Sequence, residues 1–293
     1  MKIILPNDQI KTIGQENEQY PELLKKIPDK PEKLFVRGEI AGDEIFFGIV
    51  GTRRASDYGK EIAFSFAKQL AKEGITIVSG MAVGIDSFAH QGALAGAGKT
   101  IAVLATGLNQ KTIYPQTNLK LAAAILEQKG ALISEYEPDN HGACFTFLQR
   151  NRIIAGMSLG VLVVEAKIKS GALNTAHWAK KQGRKVFAIP GPIFNINSRG
   201  CHLLLKQGAI LTENVNDILR AMALPPRARQ VIANPQNNQE KIIGDVLKNG
   251  ALDIEQIIEK TGLAARDVSR ALSVMELEDR VKTLGGNTYA LTR

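Results

Sequence analysis

The chain has 293 residues, of which 44% are hydrophobic and 23% charged, and its formal net charge at pH 7 is +8. This length and apolar content predict one large domain with a sizeable core and a second, smaller domain. No apolar run approaches the ~20 residues of a membrane span, and the first residues lack the apolar stretch of a secretory signal, so we expect no membrane segment.

The positive charge is unevenly distributed along the chain. From residue 236 onward there are 8 basic and 9 acidic residues, so residues 1–235 hold 29 of the 37 basic and 20 of the 29 acidic residues. A basic excess confined to one domain is typical of proteins that bind polyanions, although many basic proteins bind none.

Cys144 and Cys201 are the only cysteines, and their spacing matches no metal or redox motif. The four histidines form no pair with the spacing of a zinc site. We therefore expect a cytoplasmic protein without a bound metal or cofactor.

Residues 1–43 are polar and contain several prolines, which predicts a short N-terminal lead-in with one helix at 20–27. From residue 44 to 222, unbroken apolar strands alternate with amphipathic helices, as in a parallel sheet covered on both faces. The predicted fold class is α/β, with a doubly wound, mostly parallel Rossmann-like sheet. The predicted strands are 45–50, 75–79, 100–105, 131–134, 160–166, 185–190 and 209–212, and the predicted helices are about 57–73, 85–97, 117–129, 147–157, 171–183 and 200–207.

The rest of the chain predicts a linker and a second domain. Residues 223–240 are rich in proline, glutamine and asparagine and have no apolar period, which is typical of a linker. Residues 241–293 contain three short helical patterns followed by two short runs around Gly285-Gly286, a hairpin signal. Three helices and a hairpin predict a small C-terminal winged-helix domain.

The turns that follow the strands are candidate sites, because ligands of doubly wound sheets bind beyond the carboxyl ends of the strands. These turns combine glycine backbone, hydroxyl groups and cations, which together predict a rim that binds several phosphates. For any single glycine a tight turn is the better explanation, whereas the repetition over four turns favours function. The candidates are Gly51, Thr52, Arg53, Arg54, Gly80, Gly84, Lys169, Ser170 and Gly171.

Arg53 is the strongest of these candidates, because a guanidinium can bind a phosphate through two parallel hydrogen bonds. Two alternatives stay open at the level of sequence. Arg53 can instead tie the turn to a neighbouring carboxylate, and Arg54 can be a solvated surface residue.

A second candidate segment is FTFLQRNRIIAG, residues 145–156. It places Arg150, Asn151 and Arg152 at the start of a predicted helix, with Phe147 one turn earlier. Phe147 can stack on a nucleic-acid base, or it can belong to the core, since Phe145 and Phe147 alternate as in a strand.

The sequence contains few residues at positions typical of catalysis. Glu165, at the end of an apolar strand, is the only carboxylate at a position typical of catalysis, and Asp86 is expected to stabilise a helix N-terminus. The sequence has no nucleophile elbow, no Walker lysine motif and no acidic cluster for magnesium, so no enzyme is expected.

The segments GIVGTRRASDYG, SGMAVGIDSFAHQGAL and RNRIIAGMSLGVLVVEAKIKSGALNTAHWAKKQGRKVFAIPG resemble the DNA-processing protein A family, also called Smf. The likeness runs in order from about residue 20 to 220. It implies a protein that binds single-stranded DNA and loads the recombinase RecA onto it in natural transformation and recombination. It also implies a homodimer formed through the Rossmann domain and no established catalytic activity.

The family's glycine–Ser/Thr–arginine turn falls on Gly51-Thr52-Arg53, and its RNR element falls on Arg150-Asn151-Arg152. The resemblance therefore implies that the anion is the phosphate backbone of single-stranded DNA. Two departures matter: Leu148 stands where the family usually has proline, and the winged helix is slightly acidic. A winged helix that reads duplex DNA needs a basic recognition helix, so we expect a protein-contacting or regulatory role here.

Two enzyme classes are alternatives. A phosphoribohydrolase acting on nucleoside monophosphates shares this Rossmann variant, but its catalytic glutamate has no counterpart in the helix SGALNTAHWAKK. An NAD-dependent dehydrogenase is excluded because the first strand is not followed by GxGxxG and a ribose-binding acid.

Overall fold

The computed structural model describes residues 4–6, 9–223, 237–248, 250–277 and 280–291. The chain divides into two compact units, residues 1–227 and 228–293. Most of the predicted linker, residues 223–240, lies outside the described residues.

The first unit is built on a nine-stranded sheet in the order β1-β2-β6-β5-β4-β3-β7-β8-β9. Strands β3 to β9 run parallel to one another, and β1 and β2 extend one edge of the sheet, each antiparallel to its neighbours. The order reverses between β3 and β7, so the predicted doubly wound, mostly parallel sheet is confirmed. The strands are β1 Ile10–Gly14, β2 Lys33–Gly38, β3 Phe46–Val50, β4 Thr76–Ser79, β5 Thr100–Val103, β6 Ala131–Ser134, β7 Gly160–Val163, β8 Lys185–Ala188 and β9 Ile210–Leu211.

Helices cover both faces of this sheet because the strands are apolar on both faces. Phe46 and Phe47, successive residues of β3, point to opposite cores. Helices α1, α5, α6 and α7 pack on one face, and α2, α3, α4 and α8 on the other. The helices are α1 Glu22–Lys25, α2 Asp57–Lys72, α3 Ile85–Ala95, α4 Leu119–Glu127, α5 Cys144–Met157, α6 Gly171–Lys181, α7 Arg199–Lys206 and α8 Val215–Ala221.

The prediction that residues 1–43 form a lead-in is corrected by the structure. Strand β1 pairs with β2, and β2 pairs with β6, so this segment extends the sheet. Tyr20 and Leu24 are completely buried in the core beneath α5. The short helix predicted at 20–27 is present as α1, but neither strand was predicted.

The second unit has the predicted winged-helix elements. Its three helices share one core, which includes Ile243, Ile257 and Leu272. A hairpin follows the helices, and a short strand that was not predicted pairs with it. The elements are α9 Asn237–Leu247, β10 Leu252–Asp253, α10 Ile254–Thr261, α11 Ala265–Leu277, β11 Val281–Gly285 and β12 Thr288–Leu291.

Candidate functional site

A cleft of about 760 Å³ opens at the carboxyl ends of the parallel strands of the first unit. It lies where the strand order reverses, between the turns after β3 and β7 and the first turns of α5 and α6. Doubly wound sheets bind their ligands at this switch point. Nine of the thirteen predicted residues line the cleft, namely Gly51, Thr52, Arg53, Arg54, Phe147, Arg150, Asn151, Ser170 and Gly171.

The turn after β3 is held close to the sheet. A Cβ on Gly51 would lie 2.5 Å from Cγ1 of Ile85, so glycine is required for α3 to pack against the turn. The Thr52 amide donates to the carbonyl oxygen of Glu165 at 2.8 Å, and the Thr52 hydroxyl accepts from the Arg54 amide at 3.2 Å. The turn therefore presents the two arginines outward from a fixed backbone.

Arg53 is exposed and lies over the ring of Phe147, with Cζ 5.6 Å from the ring centroid. No carboxylate in the described part of the chain forms an ion pair with Arg53. The alternative in which Arg53 ties the turn to a carboxylate is thus without support in the geometry. A cation over an aromatic face, both at the mouth of a cleft, leaves the guanidinium edge free to receive an anion.

Phe147 is half-buried and also meets Tyr114 edge to face, with ring centroids 5.5 Å apart. Helix α5 begins at Cys144, three residues earlier than predicted, so Phe145 and Phe147 are helical rather than strand-like. Phe145 is 61% exposed and does not belong to the core. Tyr114 was not among the predicted residues, because only the chain's folding brings the loop after β5 beside α5.

Arg150 is buried beneath the cleft rather than presented to it. Its Nη1 donates to the carbonyl of Gly80 at 2.8 Å and also to the carbonyl of Val103, and its Nε donates to Oδ1 of Asn151 at 3.2 Å. Burial lowers the pKa of Arg150 to about 10, while nearby Asp86 opposes that shift. Arg150 therefore fastens α5 to the ends of β4 and β5 and carries its charge into the cleft floor.

Asp86 is a buried carboxylate whose charge acts on Arg150. It accepts from the amides of Gly80 at 3.2 Å and Ala82 at 3.4 Å, and burial raises its pKa while Arg150 opposes the rise. The expectation that Asp86 stabilises the start of α3 agrees with its place in the first turn of that helix.

Asn151 and Arg152 are both engaged in contacts with neighbouring elements. The Asn151 amide donates to the carbonyl of Gly171 at 3.2 Å and to Oδ1 of Asn174 at 3.1 Å, which joins α5 to the start of α6. Arg152 is ion-paired with Glu135 at 2.6 Å, and its side chain is only 14% exposed. The structure thus keeps Asn151 at the cleft wall and does not bring Arg152 to the cleft.

The two remaining candidate glycines, Gly80 and Gly84, allow close packing beside the cleft. Gly80 borders a small cavity of about 80 Å³ beside the cleft, and its missing side chain makes room for Arg150. Gly84 has φ +84°, and a Cβ there would collide with the carbonyl of Thr52. Glycine is needed at residue 80 for the approach of the Arg150 guanidinium and at residue 84 for the approach of the backbone of Thr52 and Arg53.

The turn after β7 supplies the opposite wall. Ser170 caps α6 by accepting from the Leu173 amide at 3.5 Å, and the start of α6 at Gly171 faces the cleft. A helix N-terminus favours bound anions. Lys169 is exposed but does not line the cleft, whereas its neighbour Lys167, which was not selected from the sequence, does.

Glu165, the carboxylate considered for catalysis, and the buried His90 are engaged in structural contacts. Glu165 is buried and accepts from the amide of Ser56 at 2.9 Å and from its hydroxyl at 2.5 Å. His90 is fully buried, and its Nδ1 lies 2.7 Å from the hydroxyl of Thr100. The phosphoribohydrolase alternative depends on a free carboxylate, and Glu165 is committed to the start of α2.

The described residues contain no cluster of three or more histidine, cysteine, aspartate or glutamate side chains able to hold a metal ion. Within the same residues, no helix is long and apolar enough to cross a membrane.

These features define a two-unit class of protein, in which a Rossmann-like unit with a cationic cleft is followed by a winged helix. The chain belongs to the DNA recombination-mediator protein A family, whose model matches residues 11–223. The model of the DprA winged helix domain matches residues 217–287. The resemblance to the DNA-processing protein A (Smf) family is therefore confirmed.

Proteins from several bacteria are similar to this chain over most of its length. Protein Smf of Escherichia coli is 40% identical over 298 residues, covering 98% of this chain and 79% of its own length. DNA processing protein DprA of Bacillus subtilis is 41% identical over 217 residues, covering 73% of this chain and 71% of its own.

Two solved structures resemble the fold closely. DprA of Streptococcus pneumoniae superposes with a TM-score of 0.66 at 38% identity, covering 73% of this chain and 75% of that one. DprA of Helicobacter pylori, whose structure was described for its single-stranded DNA binding mode, gives a TM-score of 0.64 at 32% identity. That match covers 73% of this chain and 96% of the Helicobacter chain.

Proposed function

We propose that this protein binds single-stranded DNA in the cleft and is not an enzyme. The observation that carries the proposal is the pairing of exposed Arg53 with the half-buried ring of Phe147 at the mouth of the cleft. Arg53 receives a phosphate, and the Phe147 ring, with Tyr114 at its edge, offers a surface on which a base stacks. The single-stranded DNA binding mode described for the Helicobacter protein supports the choice of ligand.

The cleft walls fit a phosphodiester chain better than a single small anion. Arg53 and Arg54 line it on one side, and Lys167 and the N-terminus of α6 lie on the other. Gly51, Thr52 and Ser170 contribute backbone and hydroxyl groups to the same walls. Several separated anion contacts are what successive phosphates of one strand require.

We propose further that the bound strand is passed to the recombinase RecA and that the protein acts as a homodimer in the cytoplasm. The family's description as a recombination mediator supports the first point. A filament-assembly assay on single-stranded DNA coated with a single-strand-binding protein tests it: added protein shortens the lag before RecA polymerises. Sedimentation equilibrium tests the dimer, and an unchanged lag or a monomeric mass would contradict the respective point.

The DNA assignment is tested by mobility shift with labelled single-stranded and duplex oligonucleotides of equal length across a salt series. We expect strands of about 10 nucleotides or more to bind well ahead of duplex, and affinity to fall as salt rises because phosphate contacts release counterions. Equal or tighter binding of duplex would overturn the proposal. Incubation with AMP, CMP or NAD is expected to release no base, and turnover lost in Glu165→Gln would favour the phosphoribohydrolase.

A further inference from the structure

The loop between β8 and α7 exposes three large apolar side chains. Ile193 is 70% exposed, Phe194 92% and Ile196 54%. Single exposed apolar residues are normal on a protein surface, whereas a cluster of them on one short loop indicates a binding surface. None of the residues of this loop lines the cleft described above.

The loop holds its own shape. The Asn195 amide donates to the carbonyl of Pro192 at 3.0 Å, and the Ser198 amide donates to the carbonyl of Asn195 at 3.0 Å. The Asn195 side chain in turn accepts from the Asn197 amide at 2.9 Å. Phe194 is therefore presented by a closed turn, so binding to it needs little ordering of the chain.

Asn197 joins this loop to the cleft. Its side-chain amide donates to the carbonyl of Arg54 at 3.0 Å, and its carbonyl accepts from the Ala166 amide at 2.7 Å. The hydroxyl of Tyr58, near the start of α2, donates to the carbonyl of Pro190 at 3.2 Å. The exposed loop is thus a direct continuation of the turns after β3 and β7.

The charge of this region favours a polyanion as its occupant. Residues 166–212 contain eight lysines and arginines and no aspartate or glutamate. Arg54, Lys169 and Arg199, which lie in the two joined turns and at the start of α7, are all exposed. Aromatic and apolar side chains among unopposed cations are the elements with which proteins bind single strands.

We propose that Phe194 is a second base-stacking site for the same single strand that occupies the cleft. The proposal rests on the proposed function. The ring of Phe147 contacts Tyr114, in the loop after β5, and Arg53, in the turn after β3. Strand β8 lies two positions along the sheet from β3 and four from β5. At ~4.8 Å per strand this is about 10–19 Å, which a stacked strand rising ~3.4 Å per nucleotide spans with about three to six nucleotides.

The test is a length series of oligothymidylates from 3 to 20 nucleotides, bound to the full chain and to Phe194→Ala. We expect the shortest oligonucleotides to bind both proteins equally, because they reach only one stacking site. The longest should bind Phe194→Ala roughly five- to a hundredfold more weakly, since a lost base–aromatic contact has about that effect. Phe194→Tyr, which keeps an aromatic face, should restore most of the affinity.

The matched control is Ile45→Ala, which removes an exposed apolar side chain just before β3. This residue lies at the amino ends of the parallel strands, whereas the cleft lies at their carboxyl ends. The substitution should leave binding at every length unchanged. Arg53→Ala should weaken short and long oligonucleotides alike, so a failure of the proposed function is recognised separately. If Phe194→Ala and the unmodified chain bind equally at all lengths while Arg53→Ala binds more weakly, the inference about Phe194 is overturned and the proposed function is not.

Two other occupants have distinct signatures. If the loop joins two copies of the chain, Phe194→Ala lowers the sedimentation mass in the absence of DNA. If the loop contacts lipid, vesicles of anionic phospholipid bind the unmodified chain but do not bind Phe194→Ala. Either result, together with an unchanged length series, would overturn the stacking site.

Discussion

The guanidinium of Arg150 occupies the space that a side chain on Gly80 would fill. A Cβ at residue 80 would lie 2.6 Å from Nη2 of Arg150, and the Gly80 carbonyl accepts from Nη1 at 2.8 Å. The turn after β4 and the second turn of α5 are thus fitted to one another. Because Phe147 lies on the same helix, this fit also sets the position of the ring at the cleft.

Gly80→Ala should therefore destabilise the first unit. Overpacking of a buried contact typically costs about 1–3 kcal/mol, and displacement of Arg150 also weakens its bonds to two carbonyls. We expect the free energy of unfolding to fall by about 2–4 kcal/mol, followed in urea through the fluorescence of Trp178, the single tryptophan. Gly171→Ala is the control, because no atom lies within 4 Å of a Cβ there. Equal stability of the two variants would contradict the fit.

Substitution of Arg53 should lower single-strand affinity, whereas substitution of Arg152 should lower stability. Arg53→Ala removes a charge-assisted contact worth about 1.5–3 kcal/mol, so single-strand affinity should fall roughly ten- to a hundredfold. The slope of log affinity against log salt should flatten by about 0.7, and Arg53→Lys should recover only part of the loss. These values come from mobility shift or fluorescence anisotropy at several salt concentrations.

Arg152→Ala is the counterpart, because it breaks the ion pair between Arg152 and Glu135. The side chain of Arg152 is 14% exposed and that of Glu135 is 16% exposed. We expect a loss of about 1.5–3 kcal/mol in stability and no change in the salt slope. An Arg53→Ala variant with lowered melting temperature and an unchanged slope would identify Arg53 as a structural residue instead.

The strands β3 to β9 were predictable because buried parallel strands are continuous apolar runs. The helices α2 to α7 between them were predicted as well, whereas α8, Val215–Ala221, was not. The strands β1 and β2 were missed for the opposite reason. They form the antiparallel end of the sheet, with β1 at the edge and β2 between β1 and β6, and their patterns are mixed. Strand β2 also contains Arg37, a charge that is only 3% exposed. Its guanidinium donates to the carbonyls of Leu5 and Leu108, contacts that depend on distant segments.

The site residues show a similar limit. Arg150, Asn151 and Arg152 are adjacent in sequence and invite one shared role, but a helix turns about 100° per residue and sends them to different neighbours. Arg150 reaches the ends of β4 and β5, whereas Arg152 reaches Glu135. Sequence adjacency thus grouped Arg150, which lies at the cleft floor, with Arg152, which lies outside the cleft. Tyr114 was missed because no local pattern marks it.

Phe147→Ala should weaken single-strand binding about five- to a hundredfold while leaving the fold intact, because a base stacked on an aromatic ring typically contributes about 1–3 kcal/mol. Phe147→Leu, which keeps apolar volume but no ring, should recover little. The control is Phe145→Ala, two residues earlier on α5 and outside the cleft lining. Affinities measured by anisotropy that fall equally in both variants would exclude a specific stacking role for Phe147.

His90 should make the first unit sensitive to mild acid. Burial lowers its pKa from 6.5 to about 3, so the folded state keeps the ring neutral while the unfolded chain takes up a proton below pH 6.5. Stability present above pH 6.5 is therefore lost as the pH falls toward 3. Between pH 7.5 and 5.5 this loss amounts to about 1.4 kcal/mol.

His90→Gln, which does not titrate, isolates this contribution. The variant should lose less stability than the unmodified chain between pH 7.5 and 5.5, whatever its stability at pH 7.5. Urea unfolding followed by Trp178 fluorescence at each pH gives the comparison. Parallel losses in the two proteins would show that another group causes the acid sensitivity.

Removing the winged helix should leave single-strand binding nearly unchanged. Residues 236–293 hold 8 basic and 9 acidic residues, a net charge of −1, so they bring no excess of cations to a phosphate chain. Helix α11 carries Arg266 and Arg270, but Glu276 lies on the same helix, where the Thr283 hydroxyl donates to it at 2.6 Å. A fragment of residues 1–235 should therefore match the full chain in affinity and in salt slope, measured on the same oligonucleotide. A tenfold weaker fragment, equivalent to ~1.4 kcal/mol, would place the winged helix on the DNA and leave its role as a protein contact without support.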